Sequence, residues 1–206
     1  MRPADLTRRQ LIGLGVGVFA VSAAPFLRGR RARLVRRSMP LMGTIAEIGV
    51  VHENPVYAHA AIDAALGELR RVEALMTRFS PTSDVGRANR LAVRDAVSVA
   101  PATAQVLEAA LAWAIASDGS FDPCIGRAVE LWDVEHRTVP PGAVLVRRLA
   151  GRRLYRTLDV DRDRTTGQAR IRFADPDVEI ELGGIAKGYG VDRAVAALGE
   201  WGITRG

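Results

Sequence analysis

The sequence predicts a single mixed α+β domain, an antiparallel sheet with helices packed on it. Three observations carry that expectation. Apolar residues recur at steps of three and four between Tyr57 and Phe79, which makes an amphipathic helix of about six turns. Two β-like runs, RLYRTLDV from Arg153 and QARIRFA from Gln168, flank a polar turn ending in Thr166 and Gly167, the pattern of a hairpin. Strands and helices do not alternate regularly, which argues against a doubly wound parallel sheet. At 206 residues the chain suits one good-sized domain.

The first 37 residues stand apart. They carry nine arginines and one acid, whereas residues 38–206 carry twenty basic and twenty-two acidic side chains. The net charge of +6 is therefore terminal, and the body gives little electrostatic reason to bind nucleic acid. Within the basic end, Arg8 and Arg9 precede a mostly apolar run from Leu11 to Leu27, diluted by three glycines, with small residues at 22–24. This resembles a twin-arginine export signal. Residues 1–37 are accordingly read as signal segment and basic linker, residues 38–206 as the folded domain. The expected location is the periplasm or the outer face of the cytoplasmic membrane, with membrane contact only through the signal segment if uncleaved. The alternative is a single membrane anchor, but the run is short for a span and its glycines weaken a helix.

The elements follow in order. LMGTIAEIGVV, from Leu41 to Val51, mixes β-branched residues with two glycines and predicts a strand. The helix after it places Ala58, Ile62, Ala65, Leu69, Val72, Met76 and Phe79 on one face, and Pro81 stops it. Ser83 or Asp84 can cap a short following helix. Pro101 opens a second long helix, with Val106, Ala110, Trp113 and Ala114 on one face; it closes at Asp118 and Gly119, the latter suited to a left-handed position. Residues 131–148 predict loop with at most a short helix. After the hairpin, DVEIEL predicts a third strand, and Ile185, Tyr189, Val191, Val195 and Leu198 predict a closing helix.

The chemistry-bearing residues are few. Cys124 is the only cysteine, which excludes an intrachain disulfide and Cys/His zinc patterns. His52, His59 and His136 show no ligand spacing. DVDRDRTTG places Asp159, Asp161 and Asp163 like a calcium loop, but arginines stand at the positions that need glycine and a carboxylate, so that reading fails. ELGGIAKGYGVD, from Glu181 to Asp192, holds the chain's only lysine, Lys187. It is not a phosphate-binding Walker loop, because glycine follows the lysine. A strand end, the pair Gly183 and Gly184, and a helix start would together let an anion such as phosphate approach free amides; a plain strand-to-helix turn with a solvated lysine fits the same residues. DGSFDPCIG, from Asp118 to Gly126, is similarly open. Phe121 could stack on a planar ring beside the Asp122 carboxylate, or Phe121 could be core and Asp122 a turn residue.

Together, SMPLMGT, MTRFSPTSDVGRAN, SDGSFDPCIGRAVELW and ELGGIAKGYGVDRA, in this order and spacing, resemble the ApbE family of FAD:protein FMN transferases, once described as thiamine-biosynthesis lipoproteins. The resemblance runs from about Ser38 to the last residue. It implies a magnesium-dependent transferase that cleaves FAD, releases AMP, and attaches FMN to a Thr or Ser hydroxyl of an acceptor protein. It further implies that Met42, Phe79, Ser120, Phe121, Asp122, Glu181 and Lys187 contact FAD and that the Gly184 carbonyl coordinates Mg2+. Family members usually carry aspartate at position 181, and position 187 is often lysine but can be acidic, so the resemblance assigns no catalytic base. Family members also continue past the equivalent of WGITRG, into segments that supply further metal ligands. The expectation is therefore an ApbE-like domain missing its C-terminal part, with a non-catalytic flavin-binding remnant as the alternative.

Overall fold

The computed structural model describes residues 32–206 except 135 and 164. The export-type segment expected over residues 1–37 lies outside the described residues apart from its last six. The α+β expectation holds: two antiparallel sheets are joined by helices. The described chain divides into two compact units, residues 32–70 with 193–206, and residues 71–192.

In the first unit, β1 (Arg33–Leu41) and β2 (Thr44–His52) form a two-stranded antiparallel sheet. One strand was expected from Leu41 to Val51; the structure has a turn inside that run. Met42 and Gly43 both take positive φ, 53° and 69°, which closes a two-residue hairpin loop whose twist matches the strands. The first strand was hidden because its arginines mask an alternation in which Val35, Arg37 and Met39 are half-buried and Leu41 is buried. Helix α1 (Pro55–Met76) starts where the Asn54 carboxamide oxygen accepts the amides of Val56 and Tyr57 and Pro55 fills the first helical position. Leu41, Val50, Ala58, Ile62, Ala65, Leu66 and Leu69 form this unit's core with Ala194. Fully burying a side chain such as Ile62 contributes about 1.5–3 kcal/mol.

The second unit carries α2 (Asp84–Leu91), β3 (Val97–Val99), α3 (Pro101–Ala116), α4 (Gly126–Trp132), α5 (Ala143–Leu149), β4 (Leu158–Arg162) and β5 (Ala169–Phe173). Its sheet runs in the order β3-β5-β4, antiparallel throughout. On β5, Ala169, Ile171 and Phe173 are buried and Arg170 and Arg172 exposed, the alternation of a sheet with one covered face. LYRT, expected in the first hairpin strand, forms instead a 3-10 turn over Leu154–Thr157. Asp84 ties α2 to α3: its Oδ2 accepts the Ala100 amide at 2.8 Å and the Thr103 hydroxyl at 2.7 Å. The described residues of 131–148 are loop between the end of α4 and the short helix α5, as expected. No residue of α5 is buried; its Arg148, with Arg152 just beyond, pairs with Asp177. Burial pushes the Asp177 carboxyl up, but the two guanidiniums outweigh it and hold the group below its ordinary range.

Helix α6 (Ala186–Glu200) closes the described chain. The expected closing helix is present; it buries Ala186, Ala194 and Ala197 and half-buries Leu198, while Val191 and Val195 are exposed. Trp113 and Phe79 are 65% and 82% exposed, unlike the buried residues with which the sequence grouped them on one helix face. Phe79 fails because α1 ends three residues before it.

The loop before α2 leaves no room for a side chain at Gly86, where a Cβ would lie 1.9 Å from the Ser80 carbonyl oxygen; its amide donates to the capping Ser83 hydroxyl. Gly86→Ala is expected to destabilise the protein by more than about 2 kcal/mol in urea unfolding. Gly67→Ala, in the middle of α1 where a Cβ meets nothing within 4 Å, is expected to stabilise it by about 0.5–1 kcal/mol. Equal losses for the two would overturn this account.

Candidate functional site

The second unit gathers most of the expected site residues around one extended segment, Val178 to Leu182. DVEIEL was expected as a strand, but it joins no named sheet. A single parallel bridge pairs Glu179 with Ile125. The Glu179 and Glu181 amides donate to the carbonyls of Cys124 and Pro123, and the Gly126 amide donates to Glu179. On the other side, Asn89 performs a neighbouring strand's work. Its Nδ2 donates to the Ile180 carbonyl at 3.0 Å and its Oδ1 accepts the Ile180 amide at 2.8 Å.

Because side chains alternate along an extended chain, this anchoring sorts them by sign of polarity. Val178, Ile180 and Leu182 are buried, and Glu179 and Glu181 point the other way. Arg78, just past the end of α1, lies against both carboxylates. Its Nη1 donates to Glu179 Oε1 at 3.2 Å. Its Nε lies 2.6 Å from Glu181 Oε2, a charge contact without the alignment of a hydrogen bond. The same guanidinium sits 4.5 Å over the ring of the exposed Phe79.

Past Glu181 the chain turns through the two glycines. Glu181 Oε1 accepts the Gly183 amide at 2.7 Å, and the Ile185 and Ala186 amides donate to the Leu182 carbonyl. Gly184 is exposed backbone against an aromatic edge: a Cβ there would stand 3.2 Å from Phe121 Cε2. Phe121, half-buried, is placed by a left-handed turn at Asp118 and Gly119, with φ of 51° and 82°, and by its amide donating to the Ser117 hydroxyl.

Not every expected residue converges here. Phe121, Gly184 and Glu181 do, and Arg78 joins Phe79 to them. Ser120 is exposed on the turn, and Lys187 is exposed on the first turn of α6. Asp122 points inward instead. It is buried, with Oδ1 accepting the Cys124 amide at 2.8 Å and Oδ2 the Tyr155 amide at 3.1 Å, so the turn-residue reading fits its surroundings. Met42 belongs to the other unit, at its hairpin turn. The residues that sequence reasoning missed are Arg78, Glu179 and Asn89. The alternation of Glu179 and Glu181 in DVEIEL was a signal for the second; the first and third act across about a hundred residues of chain and left none.

Among the described residues no group of three or more His, Cys, Asp or Glu could hold a metal ion. The Gly184 carbonyl accepts no backbone hydrogen bond among those residues and could serve as one ligand. One carbonyl does not make a magnesium site, since the ion demands six oxygens in near-octahedral order.

Known proteins share this chain's sequence pattern and fold. A family model described as the ApbE family matches residues 42–206. The chain belongs to the ApbE family. The FAD:protein FMN transferase of Klebsiella pneumoniae (strain 342) is 32% identical over 161 residues, 68% of this chain and 49% of that protein. The relative of the same name from Treponema pallidum (strain Nichols) is 26% identical over 189 residues, 90% of this chain and 52% of that protein. The chain thus spans about half the length of these curated ApbE relatives. Among solved structures, the ApbE protein of Thermotoga maritima superimposes with a TM-score of 0.69 at 28% identity, covering 82% of this chain and 53% of that one. The flavin transferase ApbE of Vibrio cholerae gives a TM-score of 0.71 at 23% identity, over 84% and 55%, which shows the shared fold.

Two outcomes are expected from the Asp122 turn. Asp122→Ala leaves the Cys124 and Tyr155 amides without acceptors at about 1–3 kcal/mol each in an unfolding titration, while Asp122→Asn, keeping one carbonyl oxygen, loses less. Cys124 is fully buried, and burial first, then the neighbouring Asp122 charge, pushes its thiol far above the ordinary range. Iodoacetamide is expected to leave the folded protein unmodified at neutral pH and to add one group in denaturant; modification of the folded protein would place the thiol elsewhere.

Proposed function

We propose that the chain is the flavin-dinucleotide-binding part of an exported transferase that moves FMN from FAD to a Thr or Ser hydroxyl of an acceptor protein. The observation that carries this is the Phe121 ring set against the bare Gly184 backbone, within a chain that belongs to the ApbE family over residues 42–206. A planar ring and a side-chain-free turn admit a ligand with both a ring system and a close-approaching phosphate. The amides of Gly184 and Lys187 meet no backbone acceptor among the described residues, and the exposed Lys187 adds a positive charge near the start of α6. In the proposed reaction the acceptor oxygen bonds to the FMN phosphorus, the pyrophosphate P–O bond breaks, and AMP leaves with that electron pair while the hydroxyl gives up its proton.

Binding and orientation are what the described residues supply. Phe121 and Phe79 present rings, the glycine turn presents backbone, Glu181 and Lys187 flank it, and Ser120 lies on the turn beside Phe121; Met42, on the hairpin of the other unit, is a separate expectation of the family resemblance. Magnesium dependence is part of the proposal, with the Gly184 carbonyl as one oxygen ligand, but no step is assigned to an ion that the described residues do not surround. Export rests on Arg8 and Arg9 ahead of the glycine-diluted apolar run.

The test incubates the protein with FAD, magnesium and a Thr-containing acceptor protein and reads the acceptor's intact mass, beside an FAD titration by flavin fluorescence. The expected result is FAD binding and the gain of one FMN phosphoester. Binding without transfer would assign the chain to the non-catalytic flavin-binding reading, and absence of binding would overturn both.

A further inference from the structure

We infer that Arg78 is a positioning residue for the flavin site, acting through Glu181 on the glycine turn. This rests on the proposed flavin reading. Three contacts form one chain of cause. Arg78 Nε holds Glu181 Oε2 at 2.6 Å, Glu181 Oε1 accepts the Gly183 amide at 2.7 Å, and the next residue, Gly184, lies against Phe121. The two oxygens of one carboxylate thus face opposite tasks, one toward the guanidinium and one toward the turn. Fixing the first fixes the second, because a carboxylate is planar and its two oxygens move together.

The surroundings leave Arg78 little freedom to do anything else. Its side chain is 15% exposed, those of Glu179 and Glu181 18% and 23%. Glu179 is pinned in turn, since a Cβ at Gly126 would lie 2.8 Å from its Cγ and 2.8 Å from its carbonyl oxygen. The planar guanidinium reaches two carboxylates along one face of an extended segment with separate nitrogens, Nη1 to one and Nε to the other. A lysine ammonium, a single point of charge, cannot span both. The placement has an electrostatic side as well. Two partly buried carboxylates beside a turn that is to receive a pyrophosphate would repel it, and the guanidinium between them offsets that repulsion.

The experiment compares the unaltered protein with Arg78→Met and Arg78→Lys. Three quantities are read: the hydrogen-exchange rate of the Gly183 amide, the FAD dissociation constant from flavin fluorescence, and the melting temperature. Arg78→Met is expected to speed Gly183 exchange at least tenfold and to weaken FAD binding about tenfold, with the fold intact at the assay temperature. Arg78→Lys is expected to recover part of the affinity but not the slow exchange. Unchanged Gly183 exchange in Arg78→Met would overturn the inference, as would an FAD affinity that falls only in step with the folded fraction. If the unaltered protein does not bind FAD while Gly183 exchange still responds to Arg78, the flavin reading fails and the coupling between Arg78 and the turn survives it.

Discussion

The second unit depends on a side chain standing in for a strand. The segment from Val178 to Leu182 has no sheet of its own, and the Asn89 carboxamide makes to Ile180 the donor and acceptor contacts that a neighbouring backbone would make. Two hydrogen bonds to one residue fix both its position and its rotation about the chain axis. The rotation matters more. It decides that Ile180 goes into the core, and alternation then obliges Glu179 and Glu181 to face the other way. A chain anchored only from the side of Cys124 to Gly126 would keep its position with a weaker hold on its facing.

From that orientation the site's character follows. Two carboxylates presented together need a cation, and Arg78 supplies it from just past the end of α1, about a hundred residues away in sequence. The glycines beside them answer a spatial demand rather than a conformational one. Gly183, Gly184 and Gly126 each face an atom within 3.2 Å of where a Cβ would be, and none of the three takes a positive φ. Asp122, which the sequence left open between ligand contact and turn residue, accepts two backbone amides and holds the turn that carries Phe121.

How much of this could be read beforehand varied with the range of the interaction. Helix α1 was legible because its face from Ala58 to Met76 repeats over many turns, and the β4–β5 hairpin because its turn chemistry is local. The period could not say where α1 stops, so Phe79 was drawn onto a face that ends at Met76. The β1–β2 hairpin was missed because Met42 and Gly43 turn the chain within an apolar run, and because arginines along β1 resemble a basic linker. The glycine pair and Phe121 were legible as motifs. Arg78 and Asn89 were not, since their meaning lies in partners that only folding brings near.

Helix α5 is fastened differently from everything around it. It has no buried residue, and Arg148 and Arg152 tie it and its following loop to Asp177 and Asp175. Apolar burial is indifferent to salt screening and to carboxyl protonation, whereas charge pairing weakens with both. Asp177 titrates below its ordinary value, so its share of the hold is complete near neutrality and fades as acid brings the solution down through that lowered range. The hold on this corner of the unit is therefore the one most exposed to brine and acid.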